Sequence, residues 1–409
     1  MRVPTTSRLA GVAIAILTFA SLATAAVQDK YSTWMASSIM SRSQGIMTGK
    51  GGSSELLQAG ITQRALSALV AQYPDDDLTP EIQAYIHKSA ASVIPFTSNA
   101  TYDALSYPLD RLSNGNALLA LYSPTDNNTA TFHAAADALR QSIDLNRRNP
   151  EGGLWYFTYP QWSYLDGMYS LAPFYTLYSL ATNSSLSNKE TTDALDDMTF
   201  QLELLWNHTH NASTGLLVHG YDASPTAVWA DAVTGASPHV WGRSLGWYAM
   251  ALVETLEALP GSACKYRGRI LQKFQALAAS IIGAVDPVTG GWWQVLDQPR
   301  REGNYIESSG SAMFAYALLK GTRLGYLKSN VTLSRMATVA GVRGVEYLTK
   351  TFLVQNANGT LGYNGTVAVC SLNSTATYEY YVNQPILYNS VLGSAAFVLA
   401  SLEVEQLRL

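Results

Sequence analysis

One acidic residue lies among seven aromatic rings in residues 155–169. Asp166 is that residue, and a carboxyl group desolvated by such neighbours can act as a general acid near neutral pH. Asp166 also stands near the start of an apolar helical segment, where an aspartate often caps the helix. The spacing alone is compatible with both roles.

A second acid, Asp110, precedes another apolar helical segment. Because hydrolysis of glycosides commonly uses two carboxyl groups, Asp110 and Asp166 form a candidate catalytic pair. The alternative for Asp110 is structural, as a surface helix cap or as an ion-pair partner of Arg111.

A third group of residues combines an imidazole, a guanidinium and two indoles with nearby glycines. His219 supplies the imidazole, and Arg243, within residues 241–247, supplies the guanidinium. The planar guanidinium of Arg243 matches the two oxygens of a substrate carboxylate, although a buried ion pair is the alternative. Trp241 and Trp247 in the same segment are candidate walls of a pocket.

A fourth segment carries two adjacent indoles. The rings of Trp292 and Trp293 could stack on a sugar, as aromatic faces commonly do. Glu307, further along the chain, is predicted to cap a helix.

Other chemistries have little support in the sequence. His208 and His210 lack a matching cluster of acids or cysteines, so we predict no metal site there. Residues 242–246 match the G-x-S-x-G pattern of some hydrolases, but that pattern needs a preceding strand, which the helical spacing does not provide. The phosphate-binding G-x-x-x-x-G-K-[ST] pattern does not occur.

Apolar residues recur at helical spacing in about twelve stretches, which must position these candidates. They lie near residues 31–41, 54–72, 79–94, 113–122, 130–146, 163–182, 188–206, 240–258, 263–284, 307–326, 333–350 and 386–405. No low-complexity linker divides them. We therefore predict an all-α fold of helical hairpins closed into one toroid, with two packed helical domains as the alternative.

The N-terminal residues 1–26 have the order of a secretory signal peptide. Arg2 and Arg8 precede an apolar stretch that ends in small residues, and this stretch is short for a membrane span. We expect a secreted, extracellular protein that is not membrane-bound after cleavage, with one domain over residues 27–409. N-glycans are expected on sequons at Asn99, Asn127, Asn183, Asn207, Asn211, Asn330, Asn358, Asn364 and Asn373.

The composition of the 409 residues excludes several classes of protein. Hydrophobic residues make up 47% and charged residues 14%, which is unlike a disordered chain. The net charge is −4, and no basic block could neutralise a nucleic-acid backbone, so nucleic acid is not an expected partner. Cys264 and Cys370 allow at most one intramolecular disulfide, and two free thiols are the alternative.

The ordered motifs resemble one known group of enzymes. Residues 164–169, 219–222, 241–247 and 307–313 together are similar to the unsaturated rhamnogalacturonyl hydrolases, glycoside hydrolase family 105, and to the sister unsaturated glucuronyl hydrolases of family 88. The resemblance covers roughly residues 30–405. It implies a single (α/α)6 barrel of about twelve helices.

The resemblance also implies a reaction and a set of site residues. These enzymes hydrate the double bond of a 4,5-unsaturated uronic acid at the non-reducing end of a lyase-generated oligosaccharide, here expected to derive from pectin. Asp166 matches the catalytic acid and base, while Asp110 resembles the second acid and is expected to stay ionised. No metal or organic cofactor is implied. The expected substrate-binding residues are His219, Trp241, Arg243, Trp247, Tyr156 and Gln161.

The chain departs from the family pattern at identifiable positions. Tyr156 stands where many relatives have histidine, and Ser244 with Leu245 replaces a frequent Gly-Asn pair. These changes affect the sugar preference more than the chemistry. Two alternatives therefore stay open: an ordinary two-carboxylate glycosidase for saturated sugars, and a secreted carbohydrate-binding protein in which Asp166 is only a cap.

Overall fold

Apolar residues at three- and four-residue intervals form helices over all twelve predicted stretches. The computed structural model describes residues 30–52, 54–181 and 186–407, so the signal-peptide prediction and the Asn183 sequon lie outside the described residues. Two short helices, Ala100–Ser106 and Tyr378–Val382, were not predicted. The helices in this part of the chain are α1 (Tyr31–Ser41), α2 (Glu55–Gln72), α3 (Thr79–Val93), α4 (Ala100–Ser106), α5 (Gly115–Leu121), α6 (Ala130–Asp144), α7 (Asp166–Leu180), α8 (Asn188–Thr209), α9 (Gly242–Ala258), α10 (Cys264–Gly283), α11 (Ser308–Arg323), α12 (Val331–Phe352), α13 (Tyr378–Val382) and α14 (Val391–Gln406).

Six of these helices form a closed inner ring. In order around the ring they are α2, α5, α7, α9, α11 and α14, and α14 packs back against α2. A 3₁₀ segment, Leu109–Asn114, leads into α5 and contacts both α2 and α7. Each inner helix also packs against an outer helix. The pairs are α2 with α3, α5 with α6, α7 with α8, α9 with α10, α11 with α12, and α14 with α1. The fold is therefore an (α/α)6 barrel, and the fold-class prediction is confirmed.

The inner helices are apolar on nearly every side because they are surrounded by other helices. In α9 the residues from Gly242 to Leu256 are all buried, and α14 is buried from Val391 to Val404. At Gly115 a Cβ atom would lie 2.2 Å from the ring of Phe174, so only glycine allows α5 and α7 to pack this closely. In the part of the chain that the structure describes, no helix is both long and apolar enough to cross a membrane.

Two short strand pairs connect segments that lie far apart in sequence. Strand β1 (Trp162–Tyr164) pairs antiparallel with β2 (Gly220–Asp222), with Tyr164 opposite Gly220. Strands β3 (Leu353–Gln355) and β4 (Leu361–Tyr363) form the second pair. The β1–β2 pair brings the aromatic segment before α7 beside the His219 loop.

The inner helices begin at the same end of the ring. Residues from the starts of α2, α7, α9 and α14, and from the 3₁₀ segment before α5, line one cleft. Each N-terminus carries unpaired backbone N–H groups and a partial positive charge. This end of the barrel therefore favours acidic side chains and anionic ligands.

Toward the C-terminal ends of the inner helices, a buried ionic cluster joins α2, α9 and α11. Glu254 accepts a hydrogen bond from Arg64 Nε at 2.8 Å and another from the hydroxyl of Tyr316, with Lys320 Nζ 3.5 Å away. Burial would raise the pKa of the Glu254 carboxyl, but Arg64 and Lys320 lower it to about 2. The cluster stabilises the end of the barrel opposite the cleft.

We predict that Glu254→Gln lowers the free energy of unfolding by about 3 kcal/mol, because it removes the buried carboxylate that pairs with Arg64 at 2.8 Å and leaves Lys320 with the half-exposed Glu257. The matched control is Glu257→Gln, since Glu257 contacts the same two cations but its side chain is 44% exposed. That change should cost less than about 1 kcal/mol. Equal losses in chemical denaturation of the two variants would contradict this interpretation of the cluster.

Candidate active site

A cleft with a volume of about 90 Å³ opens at the N-terminal ends of the inner helices. It brings together both predicted catalytic acids and four of the six predicted substrate-binding residues. Its lining residues are Ser54, Leu57, Pro108, Asp110, Tyr156, Phe157, Tyr159, Tyr164, Asp166, Trp241, Arg243, Trp247, Val369, Cys370, Ser371 and Leu392.

Asp166 is the first residue of α7 and is 7% exposed. The N-cap position belongs to Leu165, and no side-chain cap bond is formed there, so the capping interpretation of Asp166 is wrong. Instead, the Asp166 carboxylate accepts a hydrogen bond from Ser244 Oγ at 2.5 Å through Oδ2. A serine in the first turn of α9 therefore hydrogen-bonds to the acid at which α7 begins.

His219 lies behind Asp166 and is fully buried. Its Nε2 is 3.3 Å from Asp166 Oδ2, and its Nδ1 is 2.8 Å from the hydroxyl of Tyr381. Tyr381 therefore orients the imidazole, which faces the carboxylate. His219, predicted to bind substrate, is not among the residues that line the cleft and faces Asp166 instead.

Asp110 belongs to the 3₁₀ segment before α5 and is 3% exposed. Its Oδ2 accepts a hydrogen bond from the hydroxyl of Tyr156 at 2.7 Å, while its buried Oδ1 has no partner. Burial raises the pKa of the Asp110 carboxyl to about 7; the bond from Tyr156 opposes this shift, and the nearby Asp166 adds to it. The expectation that Asp110 stays ionised therefore holds only above neutral pH.

The structural alternative for Asp110 is also wrong. The residue is buried rather than a surface cap, and the guanidinium of Arg111 donates to Ser142, Asn146 and two backbone carbonyls.

Burial and the carboxylate of Asp110 raise the pKa of Tyr156 well above its ordinary value of 10. The phenol that replaces an imidazole here thus stays protonated as a donor.

Stacked aromatic rings form one wall of the cleft. The rings of Tyr156 and Tyr164 are nearly parallel, with centroids 4.3 Å apart. On the inner side, Trp247 packs against Tyr169 with centroids 4.6 Å apart, and Trp241 donates through Nε1 to Gln294. A wall of this kind offers flat apolar faces to the C–H groups of a sugar ring.

Arg243 brings a buried positive charge to the cleft. Its guanidinium lies 4.8 Å from the ring of Trp241 and donates to the carbonyls of Val367 and Ala368 and to Ser309 Oγ. The buried ion pair considered as the alternative is not found in the described part of the chain. Arginine has five N–H donors, and Nε–H and one Nη2–H of Arg243 donate to no residue that the structure describes.

Several predicted features lie away from the cleft. Gln161 precedes β1 with a left-handed φ of 66°, and it is not among the lining residues. Trp292 is buried in the core, where it donates to the Ile281 carbonyl, so its expected stacking on sugar is wrong. Glu307 accepts a bond from the backbone N–H of Gly310 at the start of α11, which confirms the predicted cap.

Sequence reasoning missed two polar residues next to Asp166. Ser244 was set aside with the G-x-S-x-G pattern, and that pattern indeed lies within the helix α9. The signal that could have identified Ser244 is a hydroxyl at a position where relatives often have glycine. Tyr381 was missed because its contact with His219 spans 162 residues.

Both cysteines are free thiols. Cys264 is exposed at the start of α10, whereas Cys370 is buried and lines the cleft, where burial raises the pKa of its thiol to about 12. His208 contacts Glu151 at the surface, and residues 30–52, 54–181 and 186–407 contain no group of three His, Cys, Asp or Glu side chains placed to hold a metal ion.

The barrel and its acidic, aromatic cleft are those of a carbohydrate-active enzyme of the helical-barrel class. A model described as Glycosyl Hydrolase Family 88 matches residues 31–408. A family 105 glycoside hydrolase from C. acetobutylicum ATCC 824 has a similar structure, with a TM-score of 0.78 and 31% sequence identity over 92% of this chain and 99% of that one.

Two further relatives agree with this match. The 24.9 kDa protein in picA locus of Rhizobium radiobacter is 37% identical over 195 residues, which are 46% of this chain and 82% of that protein. The unsaturated glucuronyl hydrolase of Bacillus sp. GL1 shares the fold, with a TM-score of 0.60 and 13% identity over 93% of this chain and 96% of that one. The chain belongs to glycosyl hydrolase family 88, as the sequence resemblance indicated, and has the unsaturated uronyl hydrolase fold shared with family 105.

The raised pKa of Asp110 predicts a pH-dependent stability. Between pH 4 and pH 7 the folded protein keeps a proton that the unfolded chain releases, so the free energy of unfolding falls as the pH rises through this range. Asp110→Asn removes that loss. The variant should exceed the wild type by about 2 kcal/mol at pH 8 and by much less at pH 4. Denaturation curves that differ equally at both pH values would contradict the shift.

Proposed function

We propose that this chain is an unsaturated rhamnogalacturonyl hydrolase, which acts on pectin oligosaccharides left by a lyase. The single observation that carries the proposal is the pair of buried acids, Asp110 and Asp166, held at helix N-termini in an aromatic cleft. The family match supports hydrolysis of a glycoside, and the positive end of the barrel supports an anionic substrate.

The reaction begins with proton transfer. Protonated Asp166 gives its proton to C4 of the 4,5-unsaturated uronate, and positive charge develops at C5 next to the ring oxygen. Water adds to C5 and returns a proton to the Asp166 carboxylate, which restores the acid. The resulting hemiketal opens to a ketone at C5 and a hemiacetal at C1, which breaks down and releases the neighbouring sugar.

Other residues bind and orient the substrate in this scheme. The free N–H groups of Arg243 face the uronate carboxylate, and the rings of Tyr156 and Trp247 bound the sugar. Asp110 Oδ1, which has no partner, accepts a hydrogen bond from a ring hydroxyl or from the attacking water. Tyr156 holds the other oxygen of Asp110 and so fixes its orientation.

The direct test is turnover of unsaturated disaccharides made by a rhamnogalacturonan lyase. Loss of the ultraviolet absorbance of the conjugated double bond, together with release of rhamnose, supports the proposal. Turnover only of glycosaminoglycan-derived disaccharides would refute the pectin substrate while keeping the reaction. A folded sample that leaves both absorbances unchanged would refute the reaction.

Asp166→Asn should lower kcat by a factor on the order of 10² to 10⁴, because the amide cannot exchange the proton. Its free energy of unfolding should stay within about 1 kcal/mol of wild type, because the helix cap does not depend on this side chain. The matched control is Asp103→Asn, a buried acid of α4 that does not line the cleft. That control should keep its turnover. Full turnover of Asp166→Asn would contradict the assignment of Asp166 as the catalytic acid.

We also propose that the protein is secreted, without residues 1–26, and glycosylated. All eight sequon asparagines within the described residues are exposed, which supports access for glycans. After expression in a eukaryotic host, N-terminal sequencing of the medium protein should start near Val27, and endoglycosidase should lower its mass. A protein retained in cells with Met1 intact would contradict this localisation.

A further inference from the structure

Ser244 makes a contact with Asp166 that the proposed reaction has not yet used. Ser244 lies in the first turn of α9 and is fully buried, and its hydroxyl is 2.5 Å from Asp166 Oδ2. The two residues are 78 positions apart in sequence. The contact therefore depends on α7 and α9 lying side by side in the inner ring.

The two oxygens of Asp166 have different surroundings. Oδ2 accepts the bond from Ser244 and faces His219 Nε2 at 3.3 Å. Oδ1 accepts no hydrogen bond from any residue that the structure describes, and Asp166 lines the cleft. A substrate in the cleft therefore meets Oδ1.

We propose that Ser244 is a positioning residue for the hydration reaction, holding Asp166 Oδ2 so that the proton is exchanged with the substrate at Oδ1. This inference rests on the proposed function. Ser244 does not line the cleft, so it acts through Asp166 rather than on the sugar.

The contact suits both protonation states of the acid. Oδ2 accepts the Ser244 hydroxyl whether Asp166 is a carboxylate or an acid protonated on Oδ1. The proton can leave Oδ1 for C4 and be replaced from water while the side chain keeps one orientation.

Several other ionisable groups face Asp166 and remain when Ser244 is changed. They come from the 3₁₀ segment before α5, the aromatic segment, the His219 loop, the loop at Cys370 and α13. They are Asp110, Tyr156, Tyr164, His219, Cys370 and Tyr381. A change at Ser244 therefore removes its contact with Asp166 and a longer one, of 3.3 Å, to the backbone carbonyl of His219, and leaves these ionisable groups in place.

The kinetic test compares Ser244→Ala and Ser244→Gly with the wild type on unsaturated disaccharides. We expect kcat to fall roughly 10- to 100-fold, as for loss of one hydrogen bond to a charged group, with KM within about twofold. The control is Ser394→Ala, another buried serine in the first turn of an inner helix, whose hydroxyl donates to the Ser390 carbonyl. It should leave both kcat and KM unchanged.

A second readout does not depend on activity. In crystal structures, the Asp166 side chain should keep its orientation in Ser394→Ala and lose it in Ser244→Ala, because only the second variant lacks the hydroxyl that contacts Oδ2. The same Asp166 orientation in both variants would overturn the proposal, whether or not the protein is active. A displaced Asp166 side chain in a protein that leaves unsaturated disaccharides intact would support the contact and refute the reaction.

Discussion

The parallel direction of the six inner helices is the constraint on which the rest of the structure depends. Because every inner helix starts at the same end of the ring, residues far apart in sequence meet at one mouth, and backbone N–H groups gather around it. Closure between α14 and α2 makes this arrangement rigid. The barrel thus brings acids to a place where partial positive charge offsets some of the cost of burying them.

The partial positive charge offsets only part of this cost, and neighbouring hydroxyl groups offset a further part. Ser244 donates to Asp166, and Tyr156 donates to Asp110. Even so, burial leaves the pKa of Asp110 near 7, so this cleft reduces stability at neutral pH. The opposite end of the ring carries the compensating ion pairs around Glu254.

The helices could be predicted from the sequence because their apolar spacing is local; the twelve stretches indicated a helical toroid, and the family resemblance implied the (α/α)6 barrel. The short strands β1 and β2 could not, since three residues are too few to show alternation. The donors to the two acids were also missed, because the Tyr156–Asp110 and Ser244–Asp166 contacts span 46 and 78 residues. Arg243 was identified correctly as a residue of the cleft, but only the fold shows that backbone carbonyls occupy most of its guanidinium.

The central claim is that the two acids hydrate a double bond instead of displacing the glycosidic oxygen. Proton NMR of an unsaturated rhamnogalacturonan disaccharide, followed during turnover, tests it most directly. The vinyl proton at C4 should disappear in step with the appearance of free rhamnose, and no free unsaturated uronate should accumulate. An early rise of free uronate that still carries its vinyl proton would contradict hydration and indicate direct cleavage at C1.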